Sequence, residues 1–164
     1  MLKGMNTLTL EWIDRPECLR HALAIRREVF IAEQAVPEEI EIDEHDAAPL
    51  TSSRVRHALA SILGNPAGTA RMLLPSDQDQ LVRVGRVAVR QPHRGQGLGT
   101  ALMRFAQDEA RGLGYSGVTV AAQVIVRDFY ERLGYVPRGE VFVEADIDHL
   151  WMDLRFDGDR GSRE

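Results

Sequence analysis

Apolar and polar residues alternate from Thr7 to Ile13 around Leu8, Leu10 and Trp12, and this period of two predicts an opening strand with one buried face. Asp14-Arg15-Pro16 breaks the alternation, and Pro16 suits a helix N-terminus, where its missing N–H would have no partner in any case. The period then lengthens. Leu19, Leu23, Arg26 and Phe30 share one helical row and Ala22, Ile25 and Val29 the next, which predicts a helix to about Gln34 with Arg20, Arg27 and Glu28 facing water. Strands are expected at 57–63, 68–74 and 81–89, set apart by Gly64-Asn65-Pro66 and Pro75-Ser76-Asp77 as a hairpin-connected meander. The first 89 residues therefore read as mostly antiparallel sheet.

The second half has another rhythm. Leu98, Ala101, Leu102, Phe105, Ala106 and Leu113 recur at helical spacing within 97–114, and 117–122 is a short apolar strand, so a strand, helix, strand crossover is expected. Residues 123–133 predict a further helix closed by Gly134, and 135–136, 141–143 and 149–156 supply terminal strands before a frayed end. No repeat or long linker divides the chain. The expectation is one mixed α/β (α+β) domain over residues 1–156, with 157–164 as a flexible C-terminal tail.

Composition narrows the function classes. A chain of 164 residues can bury a core without disulfide or metal, and the single Cys18 offers neither an internal bridge nor metal-ligand spacing, so no metal and a reduced, cytoplasmic setting are expected. Residues 1–10 lack the basic start and apolar run of a signal peptide, and no stretch approaches a membrane span. Twenty Lys and Arg against 25 Asp and Glu give a net charge of −5, which disfavours nucleic acid and suits a cationic small molecule. Residues 37–46 carry six carboxylates in ten positions. They read either as a solvated loop or as an attractor for a cationic amine; the glycine and glutamate an EF-hand needs do not follow Asp43.

The sharpest local signal is Val87-Ala-Val-Arg-Gln-Pro-His-Arg-Gly-Gln-Gly-Leu-Gly-Thr100, an apolar strand turning into a glycine-rich helix start. Gly95, Gly97 and Gly99 clear the backbone for close approach, and the helix N-terminus directs N–H groups and positive potential outward. A diphosphate suits such a site, with Arg94 adding charge and Thr100 a hydroxyl. No lysine follows these glycines as a P-loop requires, and Thr100 stands where the dinucleotide fingerprint needs glycine.

Arg94-Gly-Gln-Gly-Leu-Gly99 resembles the Arg/Gln-x-x-Gly-x-Gly/Ala signature of the GNAT superfamily of acyl-CoA N-acyltransferases. About 30 residues on, Gln123-Val-Ile-Val-Arg-Asp-Phe-Tyr-Glu-Arg-Leu-Gly-Tyr135 resembles that family's second helix motif, with Gln123 where Asn is usual and Val126 where Ala is usual. Arg26-Arg-Glu-Val-Phe-Ile-Ala-Glu-Gln34, Asp43-Glu-His-Asp46, residues 139–144 and Ile147-Asp-His149 are similar to the ElaA-like subgroup. The resemblance implies a central mixed sheet flanked by helices, whose parallel strands splay into a wedge for acetyl-CoA. It places the pyrophosphate at Arg94, Gly95, Gln96, Gly97, Leu98, Gly99 and Thr100. The pantetheine and acetyl group fall along Val87, Ala88 and Val89, with Gln123, Arg127, Phe129 and Tyr130 bordering the cofactor.

The activity so implied is direct attack of a primary amine of a small molecule or peptide on the thioester, through a tetrahedral intermediate. In that scheme the Val89 N–H faces the oxyanion and Tyr130 protonates the departing sulfur. A lysine-like amine with pKa near 10.4 benefits from a base, for which Glu33, Asp43, His45, Glu144 and His149 are candidates. A structural role for His149, His57 and Cys18 is equally open. Family usage also allows a homodimer. The other class of function is a non-catalytic acyl-CoA sensor or interaction module that keeps the wedge without a productive acceptor site.

Overall fold

The computed structural model describes residues 7–47, 50 and 52–157. Seven strands follow the order β1-β2-β3-β4-β5-β7-β6: β1 is Leu8–Trp12, β2 Val55–Ile62, β3 Asn65–Leu73, β4 Val82–Val89, β5 Gly117–Gln123, β6 Val136–Glu144 and β7 Ile147–Arg155. The chain forms two compact units: residues through Leu74 with Val84–Ala106, and Pro75–Arg83 with the chain from Gln107 onward.

In the first unit, β1 pairs antiparallel with β2, and β2 with β3 through a turn at Leu63-Gly64, so Asn65 and Pro66 open β3 instead of separating the strands. Alternation along each strand supplies two cores. Leu59 and Ala88 face Ile13, Cys18, Ala22, Ile25 and Val29, most of them on helix α1 (Pro16–Arg26) and its extension. Ala58, Ala60 and Ala70 face the other way, with Leu102 of helix α4 (Leu98–Gly112) and the partly buried Val87, Val89 and Phe105. Trp12 stacks on Phe105 with ring centroids 4.8 Å apart.

The first helix differs from the expected single α-helix. After Arg26 it continues as a π-helix from Arg27 to Glu33, a widened turn that apolar periodicity does not register. The acidic run is not a loop: Glu38–Glu41 forms α2 and Glu44–Ala47 forms α3. Of the turn expected through Pro49, Ser52 and Ser53, Pro49 lies outside the described residues.

In the second unit, β5 pairs antiparallel with β7 along its whole length, and β7 with β6. A parallel ladder joins Val82 to Val118 and Arg83 to Thr119. Val118, Val120, Ala122, Leu150 and Met152 form the buried face. Gln123 ends β5, and the expected helix starts only after a 3-10 turn at Val124–Val126, as α5 (Arg127–Arg132). Gly134 follows it with φ +94, as a C-terminal cap requires. The terminal strand pieces are longer than alternation suggested, because a register shift between Arg138 and Phe142 carries β6 through Gly139. Arg155 and Phe156 are not frayed: Arg155 pairs with Gly117, and the Phe156 N–H donates to the Ser116 carbonyl at 2.9 Å. Residues 158–164 of the expected tail lie outside the described residues.

Candidate active site

The glycine-rich turn leaves β4 through a 3-10 turn at Gln91–His93 and enters α4 at Leu98. Gly95 and Gly97 sit at φ +76 and +84, and a Cβ built on either would meet nothing within 4 Å. Glycine is therefore required there by backbone conformation, and the space beside it stays open to a ligand. The first-turn amides of α4 have no carbonyl four residues upstream within the helix, so they and the dipole favour an anion. Gly97→Ala keeps the open space but strains the backbone; denaturant unfolding should show a loss of about 1 kcal/mol, with weaker acetyl-CoA binding.

Arg94 does not stand as an unpaired charge at the mouth of this turn. Its Nε donates to the Val89 carbonyl at 2.9 Å and its Nη2 to Glu33 at 2.7 Å, so the guanidinium bridges the end of β4 and the end of the π-helix. Glu33, a base candidate, has its carboxylate engaged by that contact. Ala88 and Leu98 turn their side chains into the core, at 2% and 4% exposure, leaving only their backbones for a cofactor. Gln96 donates through Nε2 to the Pro92 carbonyl at 3.4 Å, inside the same turn.

In the second unit, Tyr130 is 8% exposed on α5 and meets Phe129 and Tyr135 edge to face, at 5.0 and 5.6 Å. Burial pushes its hydroxyl up to about 12, so it is a proton carrier throughout the neutral range. The Tyr135 hydroxyl accepts from Gln107 at 2.8 Å. Arg127, expected to border the cofactor, is tied to Glu131 at 2.6 Å.

Gln123 and His149 are register partners on β5 and β7. The His149 Nδ1 lies 2.7 Å from the Ile147 carbonyl, which can only accept, so Nδ1 is the donor of that contact and Nε2 is the ring nitrogen left for other partners. Its ring stacks on Phe142 at 5.7 Å. Glu144 is exposed and pairs in register with Ile147 beside the same hairpin turn.

What periodicity did not reveal is a buried charge cluster in the first unit. Arg26, at 1% exposure, donates Nε to Glu41 at 2.8 Å, Nη1 and Nη2 to Asp46 at 2.6 and 2.9 Å, and Nη2 also to the Glu41 carbonyl at 2.7 Å. Arg71 grips Asp43 with both Nη atoms at 2.7 and 3.0 Å, and Arg86 Nε lies 3.2 Å from Glu41. Three guanidiniums thus balance three of the six acidic groups in residues 37–46. The attractor reading is corrected accordingly, because Glu41, Asp43 and Asp46 are neutralised from within. Burial alone would raise the Asp46 carboxyl, but hydrogen bonds from Arg26 and the Asp43 amide, with the charges of Arg26 and Arg71, hold it well below the usual carboxylate range. The sequence did carry one signal, a charged Arg26 inside an otherwise apolar helical row.

His57 lies against this cluster, 6% exposed on β2 and in register with Arg71. Burial lowers its pKa, and Arg26 and Arg71 add to that, while the Asp46 charge and the His45 backbone oppose it. The folded state keeps the imidazole neutral while the unfolded chain takes up a proton near pH 6.5, so its contribution is fully present above that pH and is lost as pH falls toward the lowered folded value. Urea unfolding followed from about pH 8 to about pH 5 should show stability falling in that window, with His57→Gln removing the dependence.

Among the described residues no group of three or more His, Cys, Asp or Glu side chains could hold a metal ion, and no helix is long and apolar enough to cross a membrane. Residues 16–156 match the family described as Acetyltransferase (GNAT) domain. The uncharacterized N-acetyltransferase YjcF of Bacillus subtilis is 33% identical over 83% of this chain and 91% of its own length. An acyl-CoA N-acyltransferase from Pseudomonas aeruginosa is 33% identical, covering 88% of this chain and 99% of its own, with a TM-score of 0.75. ElaA of Escherichia coli is 29% identical over 88% of this chain and 99% of its own, also at TM-score 0.75.

Proposed function

As this chain belongs to the GNAT acetyltransferase family, in its ElaA-like subgroup, and is an acyltransferase by that membership, we propose that it transfers the acetyl group of acetyl-CoA to a primary amine of a small molecule or peptide in the cytoplasm. The observation that carries the cofactor half is the paired positive-φ glycines opening onto the N-terminus of a 15-residue helix.

In this reading the residues divide the work as follows. The turn at 94–100 holds the pyrophosphate through backbone N–H groups and the Thr100 hydroxyl, with Arg94 fixing the shape of the turn through Val89 and Glu33. The backbone of Val87–Val89 orients the pantetheine, and the Val89 N–H stabilises the oxyanion formed when the neutral amine attacks the thioester carbon. The C–N bond forms first, the C–S bond breaks as the tetrahedral intermediate collapses, and Tyr130 hydrogen-bonds the departing thiolate. Because Arg94 engages Glu33 and Arg71 engages Asp43, the candidates left to take the acceptor's proton are His45, His149 and Glu144.

A thermal-shift titration with acetyl-CoA, beside CoA, NADH and ATP, tests the cofactor assignment. A ligand at about a hundredfold excess over Kd stabilises the native state by about 2.7 kcal/mol, a clear rise in Tm. The expected result is a rise with CoA species alone, reduced in Arg94→Ala. No rise with acetyl-CoA, once co-purified ligand is excluded by mass spectrometry, removes the reading.

A further inference from the structure

Arg86 is a non-glycine residue in the left-handed region, at φ +52, inside β4 and one residue before the Val87–Val89 segment. L side chains avoid that conformation, and it persists only where surrounding structure over-determines it. The over-determination here is visible. The Arg86 Nη2 donates to the Ile40 carbonyl at 3.1 Å and lies 3.5 Å from Asp43, while Nε donates to the Glu41 carbonyl at 3.3 Å and faces the Glu41 carboxylate at 3.2 Å. Those acceptors are themselves fixed, since Arg26 binds Glu41 through both its side chain and its carbonyl and Arg71 binds Asp43. Arg86 is thus tied on one side to a buried, charge-balanced block and on the other to the strand that runs on to the glycine turn.

We propose that Arg86 is a positioning residue for the acetyl-transfer site: its guanidinium, anchored on the Ile40–Asp43 segment, holds the left-handed kink that sets the course of Val87–Val89. The acidic segment then serves as a strut for the cofactor strand instead of a device for gathering the acceptor. The neutralisation of Glu41 and Asp43 by arginines follows directly from that role, because a strut needs a rigid acceptor set and an attractor needs exposed charge. The kinetic side of this inference rests on the function proposed above; the structural side does not.

Two substitutions separate anchor from backbone. Arg86→Gly removes the guanidinium but accepts the positive φ without strain, and Arg86→Ala removes the guanidinium and keeps the strain. For both, we expect kcat to fall roughly 10²-fold, as a misplacement of about 1 Å does, and amide hydrogen exchange to accelerate over residues 84–89 while β2 stays protected. Arg86→Gly should lose turnover as Arg86→Ala does, since freedom of the backbone is not what holds the kink. Wild-type kcat and unchanged exchange at 84–89 in Arg86→Gly would overturn the proposal, as would a uniform rise in exchange across β2 and β4, which marks general destabilisation only. If the wild type neither binds nor transfers from acetyl-CoA, the functional reading fails by itself, and the exchange pattern still decides whether Arg86 holds the strand.

Discussion

Tyr130→Phe is expected to lower kcat about 10²-fold while acetyl-CoA binds as in the wild type, measured by steady-state rates beside direct titration. The ring is buried between Phe129 and Tyr135, so phenylalanine retains the edge-to-face packing and removes only the hydroxyl. That hydroxyl is pushed up to about 12 by burial. A phenol this weak does not surrender its proton in advance to a thiolate whose conjugate acid titrates near 8.5, so its contribution is a hydrogen bond that strengthens as charge builds on sulfur. The rate should consequently show no alkaline loss from Tyr130 in the neutral range. Wild-type turnover in the variant, with chemistry shown to be rate-limiting, contradicts the assigned role.

Arg26→Ala should destabilise the chain by roughly 3–5 kcal/mol, read from urea unfolding at neutral pH. The magnitude follows from what remains behind. Glu41 and Asp46, at 3% and 7% exposure, lose a guanidinium that donates to both, and Arg86 and Arg71 approach them less directly. Arg26→Lys should not restore the loss, because one ammonium cannot reproduce hydrogen bonds from Nε, Nη1 and Nη2 in three directions. The same change should flatten the acid dependence, so that variant and wild type draw closer in stability as pH falls below about 3.8. The depressed Asp46 carboxyl contributes stability that is present above its unfolded value of about 3.8 and lost as pH falls below it, and without Arg26 its largest hydrogen-bonding stabiliser is gone. A loss under about 1 kcal/mol would place this pair with surface ion pairs and contradict the account.

Much of this was legible in the sequence, for reasons that differ by residue. Strand alternation at Leu8, Leu10 and Trp12 and the helical rows of α1 and α4 report burial directly, because a period of 2 or 3.6 is a statement about which face meets the core. Gly95 and Gly97 were legible as a turn because only glycine adopts their conformation cheaply. The acidic run was misread because a carboxylate's partner is set by tertiary contacts: Arg26, Arg71 and Arg86 lie on three separate elements, 15 to 45 residues from Glu41 in the chain. Arg94 and Glu33, 61 positions apart, escaped pairing for the same reason. The π-helix left no trace in periodicity because it changes the backbone pitch within an already apolar row.

The most direct test supplies acetyl-CoA labelled in its acetyl group to the full chain with polyamines, aminoglycosides, arylamines, amino acids and peptides, and follows the products by mass spectrometry. The account predicts many turnovers of one labelled N-acetyl product, an equal amount of free CoA thiol, and no acetylated enzyme along the way. Saturable acetyl-CoA binding with no product above the uncatalysed rate on any of these amines would contradict it, leaving a chain that binds the cofactor without performing the transfer.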